Sequence, residues 1–297
     1  MNNTYDYIIA GIGLRSDIDL VAAGLRGFKP FEHEICGEPH CTFHTRSNMQ
    51  IAEFGATKSI STSFIAETSC NSELSKCENG YLYVVEGRTA EEEPLLFHID
   101  TATNRIEFNR EECTSLYELS LLRFGLWVMF GIVIAPHSAI AIHSSVIESE
   151  GRGVLFLGES GTGKSTHTRL WRENIEGAHL LNDDSPIIRV IDDQPIVFGS
   201  PWSGKTPCYR DLSYPIAGFC RLSQAPHNAI RRLNVIASLG ALLPSCPPQF
   251  ANDAYLQENI YKTLDKVLRK VGVYHLECLP NGEAAHLSHS TIIGGNA

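Results

Sequence analysis

The chain has 297 residues, 43% of them hydrophobic, which is enough for a packed core and one or two domains. Acidic residues (34) outnumber basic ones (24), and the formal charge of −10 excludes a uniformly basic nucleic-acid surface. Nine cysteines, an odd number, and a polar, acidic opening at residues 1–7 exclude a secreted disulfide framework and leave a cytoplasmic protein as the expectation.

In chain order, residues 5–10, 41–45, 50–54, 63–68, 81–86, 95–99 and 105–108 are rich in aromatic and β-branched side chains. They predict short strands separated by turns, as in a small antiparallel β domain over residues 1–113. His33, Cys36, His40, Cys41 and His44 have zinc-like spacings, but no second spaced pair follows and the cluster is read as coincidence. At 115–130 the period changes. Leu116, Leu119, Leu122, Leu126 and Met129 recur at helical spacing, with Thr114 or Ser115 as cap and Glu118 near the first turn. Residues 124–147 carry no Asp, Glu, Lys or Arg, yet only 124–135 are continuously apolar. That is short for a bilayer, so the segment predicts a buried helix running into a buried strand, with no membrane partner.

Residues 114–297 then read as a mixed α/β domain. Strands are expected at 139–147, 154–157, 178–181, 187–191, 196–198, 216–222 and 273–278, and helices at 164–173, 253–271 and 283–292.

The run Gly158-Glu159-Ser160-Gly161-Thr162-Gly163-Lys164-Ser165 satisfies the P-loop pattern, with an apolar strand before it and a helix from Thr166 after it. Glycines let successive N–H groups turn toward phosphate oxygens, and the helix N-terminus adds its dipole. Lys164 reaches the β- and γ-phosphates, and the Ser165 hydroxyl can ligate Mg²⁺. The nucleotide contacts are therefore expected over Gly158–Ser165 and Thr166, with ATP and Mg²⁺ as cofactors. Downstream, Asp183-Asp184 ends a strand. One carboxylate serves a metal, and a second beside it points to a general base that takes a proton from a hydroxyl. Neighbouring residues of a strand face opposite sides, so the two are expected to differ in role; Asp183 is preferred as the base and Asp184 as the metal ligand, and the sequence leaves the order open. The segment 198–207 supplies Ser203, Gly204, Lys205 and Thr206, read as a second anion clamp. Arg210 and Arg221 offer further cations for phosphate.

The P-loop, with His143 upstream and Asp183-Asp184 downstream, resembles the catalytic domain of HPr kinase/phosphorylase. That domain is similar in turn to the nucleotide core of phosphoenolpyruvate carboxykinase. The resemblance covers residue 138 to the C-terminus. It implies an α/β P-loop kinase domain of that type with a mixed sheet, here preceded by the β-rich domain. It implies that Lys164 and the loop amides hold phosphates, that Ser165 and one Asp serve Mg²⁺, and that His143 tunes the catalytic Asp. Residues 1–113 do not resemble the N-terminal domain of HPr kinase, so neither HPr as substrate nor a phosphorylase reaction is implied. The expected activity is transfer of the γ-phosphate of ATP to a hydroxyl on a protein, peptide or small molecule. An ATP-binding regulatory module and a carboxykinase-like enzyme are the alternatives. The oligomeric state, a homo-oligomer included, stays open.

Overall fold

Three two-residue turns set hairpin registers. Ala10-Gly11, Glu150-Gly151 and Asp192-Asp193 have positive φ at both central positions, the geometry that matches the twist of the flanking strands. The computed structural model describes residues 4–65, 68–87, 89, 91–159, 161–204 and 206–296. The chain divides into two compact units, Met1–His137 with Pro248–Glu258, and Ser138–Pro247 with Asn259–Ala297.

The first unit is built on a sheet that has eight strands among the described residues, in the order β1-β2-β3-β8-β7-β6-β5-β4. These are β1 (Tyr5–Ile9), β2 (Ile12–Ser16), β3 (Cys41–Thr45), β4 (Lys58–Ile65), β5 (Cys70–Cys77), β6 (Gly80–Val85), β7 (Leu95–Asp100) and β8 (Arg105–Phe108). The sheet is not purely antiparallel as expected: β3 runs parallel to both β2 and β8. Parallel neighbours need long crossovers, and residues 17–40 and 46–104 supply them. The expected strand at 50–54 is instead a 3₁₀ turn, Ile51–Phe54. Gln50 and Glu53 close a reciprocal capping box there, and these local bonds outweigh the β-propensity of the segment. Strands β2 and β5 were not anticipated. The sequence Cys-Asn-Ser-Glu-Leu-Ser-Lys-Cys of β5 has little β-branched or aromatic content, and pairing with β4 and β6 holds it in place. Tyr7, Phe43, Phe97 and Phe108 fill the core of the unit.

Helix α1 (Leu116–Ile134) starts at Ser115, whose side chain accepts from the Glu118 N–H while Glu118 accepts from the Thr114 N–H. It runs four residues beyond the expected end. The stretch Leu116–His137 is long and apolar enough to cross a membrane, and 67% of its most apolar window is buried inside the fold. Phe97 of β7 packs on Gly125, where an added Cβ would lie 2.3 Å from the ring. The helix therefore belongs with the first sheet. The division falls at 137/138, whereas the pattern of strands had placed it at 113/114.

In the second unit the strands follow the order β12-β10-β11-β15-β14-β13-β9, with β17 pairing both β15 and β16. They are β9 (Ala139–Ala141), β10 (Ser144–Ser149), β11 (Arg152–Leu157), β12 (His179–Asp184), β13 (Ile187–Ile191), β14 (Gln194–Phe198), β15 (Ser213–Gln224), β16 (Ala229–Arg232) and β17 (Gly272–Cys278). The expected single strand at 139–147 is broken at Ile142-His143, because β9 pairs with β13 whereas β10 pairs with β11 and β12. Helices α2 (Lys164–Asn174) and α5 (Gly282–Ile292) cover one face through Leu170, Trp171 and Ile292 on Val154, Phe156, Leu222 and Leu276. Helix α3 (Val235–Leu242) has no counterpart among the expected elements, and of α4 (Ala254–Leu268) the part up to Glu258 is counted with the first unit. Strands β11, β15 and β17 are mutually parallel, and β12 runs the same way across the antiparallel β10. Their C-terminal ends share one edge, where sheets of this kind bind ligands.

Candidate functional site

Strand β11 delivers the chain to that edge at Leu157, and the loop that follows turns directly into α2. Gly163 caps the helix with φ 104°, ψ 18°, a left-handed conformation natural to glycine, and it has no side chain to cover the first-turn N–H groups. Gly158 has φ 151°, and a Cβ there would lie 2.4 Å from Thr162 Oγ1. The Lys164 ammonium donates to Gly158 O at 2.7 Å and Glu159 O at 3.2 Å. Burial lowers the Lys164 pKa, while Asp184 and Asp183 favour its charged form. The side chain thus rests on carbonyls of its own loop, a position from which a charged phosphate would draw it. Ser160 and Lys205, also expected at this site, lie outside the described residues.

The acidic pair closes β12, with Asp183 opposite Ser145 and Asp184 opposite Ser144 on β10. Ser165 Oγ donates to both carboxylate oxygens of Asp183 at 3.2 Å. His143 Nδ1 lies 3.2 Å from Asp184 Oδ1. This is the opposite pairing to the expected one, which joined Ser165 with Asp184 and placed His143 beside Asp183. The reason is that Asp183 sits on the face that α2 covers, where Ser145 also meets Thr168 of that helix at 3.4 Å. His143 is half exposed, and its backbone N–H is held by Ser245 O at 2.7 Å. Asp184 has φ 155°, a strained value for a residue with a side chain. A bridge to Ser203 and the bond from Gly204 N to Asp183 O at 2.7 Å hold the strand end in that shape.

Asn182 was missed by the sequence reading, although it directly precedes the pair. Its buried amide donates to Trp202 O at 3.0 Å and accepts from Ser185 N at 3.0 Å. It fastens the 200–203 segment against the acidic strand end. The donors gathered at Ser165 and Asp183 are hard oxygens and suit Mg²⁺. Among the described residues no three His, Cys, Asp or Glu side chains come together as a metal cluster. In the first unit, His40 accepts from Gly13 N at 3.0 Å, His44 faces Asp17 at 3.4 Å, and Cys41 is buried.

Two cavities flank the loop. One, of about 560 Å³, is bordered by Gly161, Gly163, Thr166, Leu222, Gln224 and Pro280, beside the ends of β15 and β17. The other, of about 500 Å³, is bordered by Gly158, Glu159, Arg221, Arg231 and His275. His167 in α2 is a core residue. Burial pushes its pKa down to about 4, and its Nε2 lies 3.0 Å from Ser288 Oγ.

No protein-family model matches the chain, and no curated protein matches its sequence. Among solved structures it is similar to the HPr(Ser) kinase/phosphatase from Coxiella burnetii, with 12% identity over 52% of this chain and 93% of that one. The TM-score is 0.29, so the relationship is a distant structural one.

Proposed function

We propose that the protein is an ATP-dependent phosphotransferase that moves the γ-phosphate to a hydroxyl of an acceptor. The observation that carries this is the meeting of a phosphate loop with two strand-borne carboxylates in different company, Asp183 on Ser165 and Asp184 on His143. A nucleotide-dependent switch needs a metal ligand but no second carboxylate with its own histidine. Loop N–H groups and Lys164 hold the phosphates, and the 560 Å³ cavity takes the nucleoside. Mg²⁺ would be held by Ser165 and Asp183 and would neutralise phosphate charge. Asp184, oriented by His143, accepts the acceptor's hydroxyl proton. The acceptor oxygen forms its bond to the γ-phosphorus as the bond from that phosphorus to the bridging oxygen breaks, and ADP leaves.

Calorimetry with ATP and Mg²⁺, together with transfer of labelled γ-phosphate to trial acceptors, tests this reading. Lys164→Ala is expected to weaken ATP binding at least ~10-fold and to abolish transfer, because charge-assisted contacts are lost. Unchanged affinity and turnover in that variant would overturn the assignment.

A further inference from the structure

The second cavity holds a cluster of cations that neither the loop nor the acidic pair accounts for. Arg221 on β15 is directly opposite His275 on β17, and His275 is directly opposite Arg231 on β16. The three make one transverse row across adjacent strands, and all three border the cavity that begins at Gly158 and Glu159. Arg221 makes no ion pair among the described residues. Arg231 Nη2 lies 3.4 Å from His275 Nδ1, and Ser223 Oγ lies 2.9 Å from Nε2. A guanidinium can only donate, so Nδ1 accepts and the ring is neutral with its proton on Nε2. Burial and the Arg231 cation lower the His275 pKa, Glu277 acts in the other sense, and Arg221 adds to the lowering. Glu277 sits in the next row, opposite Ser223 and Ala229, and Glu159 borders the cavity from the loop. Two guanidinium groups within reach of one cavity repel each other unless an anion lies between them.

The row continues toward the acidic pair. Arg221 is opposite Leu157, the last residue of β11; Leu157 follows Phe156, the partner of Ser145; and Asp184 is opposite Ser144. Asp184 and Arg221 therefore lie on one transverse line, three strands apart, or about 14 Å at the usual strand spacing. The next step, to His275, brings the span to about 19 Å.

We infer that the Arg221 and Arg231 guanidinium groups, with the His275 ring between them, form an anion subsite for the acceptor, taking a carboxylate or phosphate group of an extended chain whose hydroxyl lies at Asp184. This rests on the proposed phosphotransfer. The distance from Asp184 to Arg221, about 14 Å, matches an acidic peptide, in which four residues of extended chain cover about 13 Å. Carboxylates and phosphates both pair with guanidinium forks, so the two sources share one chemistry.

The test observes the His275 ring by NMR in the full chain labelled at histidine, with the signal assigned from His275→Gln. Inorganic phosphate and acetate are titrated separately. At least one is expected to shift the ring saturably, and the stronger of the two identifies the source. Arg221→Gln with Arg231→Gln is expected to weaken that binding tenfold or more. In Arg231→Gln alone, ATP affinity by calorimetry should stay within about twofold, since Arg231 does not border the 560 Å³ cavity. If the double variant melts early, Arg231→Gln alone at its exposed position carries the comparison. A peptide with Ser and Glu separated by three glycines should bind more tightly than its Gln counterpart. A silent His275 signal, an unchanged titration in the variant, or a parallel loss of ATP affinity would overturn the subsite. Equal binding of the two peptides would overturn the extended acceptor. If the parent protein fails to bind ATP, the phosphotransfer reading falls, while the His275 titration still decides whether the row binds anions.

Discussion

In the first unit Asp6 clasps Arg15 through bonds of 2.7 and 2.9 Å, and the hydrogen bond from Arg15 holds the Asp6 carboxyl below its ordinary pKa. Asp253, almost fully buried, gathers the Tyr81 hydroxyl at 3.0 Å, the Leu256 N–H at 2.9 Å and the Lys76 ammonium at 3.3 Å. Around the 158–165 loop of the second unit the charges are placed differently. Lys164 rests on carbonyls, Arg221 has no ion pair among the described residues, and His143 with Asp184 stands half open to solvent. Charges that satisfy one another contribute to stability and leave little for a ligand. Charges held near one edge and only partly paired contribute less to stability and stay open to other partners.

That contrast can be broken most sharply at the acidic pair. Asp184→Asn should keep ATP affinity and lose ~10²-fold or more in kcat, because a base is removed. Asp183→Asn should lose the Mg²⁺-dependent part of ATP binding instead. Calorimetry with and without Mg²⁺, set beside turnover, separates the two, and identical behaviour of both variants would sink the division of labour. A stability effect comes next. Asp253→Ala leaves the Tyr81 hydroxyl unpaired and removes the cap of α4, and should cost about 2–4 kcal/mol in urea unfolding. Tyr81→Phe, which removes the hydroxyl along with its need for a partner, should cost less. A shift under ~0.5 kcal/mol for Asp253→Ala would mean that the committed charges of the first unit do not hold it. The smallest effect is expected at His143. His143→Ala should lower kcat about tenfold while ATP affinity and melting temperature stay put, since the side chain is half exposed and orients Asp184 alone. A lower melting temperature with normal specific activity would return the residue to a structural role.

How much of this could be read beforehand depends on how far apart the partners lie. The loop was legible because its strand, its glycines and its helix are contiguous, and each φ is set by the residue itself or its neighbours. The cap of α1 by Ser115 and Glu118 was legible for the same reason. Strand β5 was not, because small polar residues form a strand there only when neighbouring strands claim their backbone. The Asp pair could be found but not apportioned. Alternation along a strand says that two neighbours face apart, and it does not say which face meets α2.

The sequence by itself determined the glycine-rich turn between β11 and α2 and the adjacent carboxylates Asp183 and Asp184 at a strand end, since those are short-range matters of backbone geometry and residue type. Only the tertiary structure decided that Ser165 turns to Asp183 and His143 to Asp184. It alone drew Arg221, Arg231 and His275 into one row. Of these, Arg221 reads in the sequence as a further cation for phosphate, and the other two carry no motif. Their meeting is a matter of register between strands far apart in the chain, and register is fixed by the packing of whole faces rather than by any local preference.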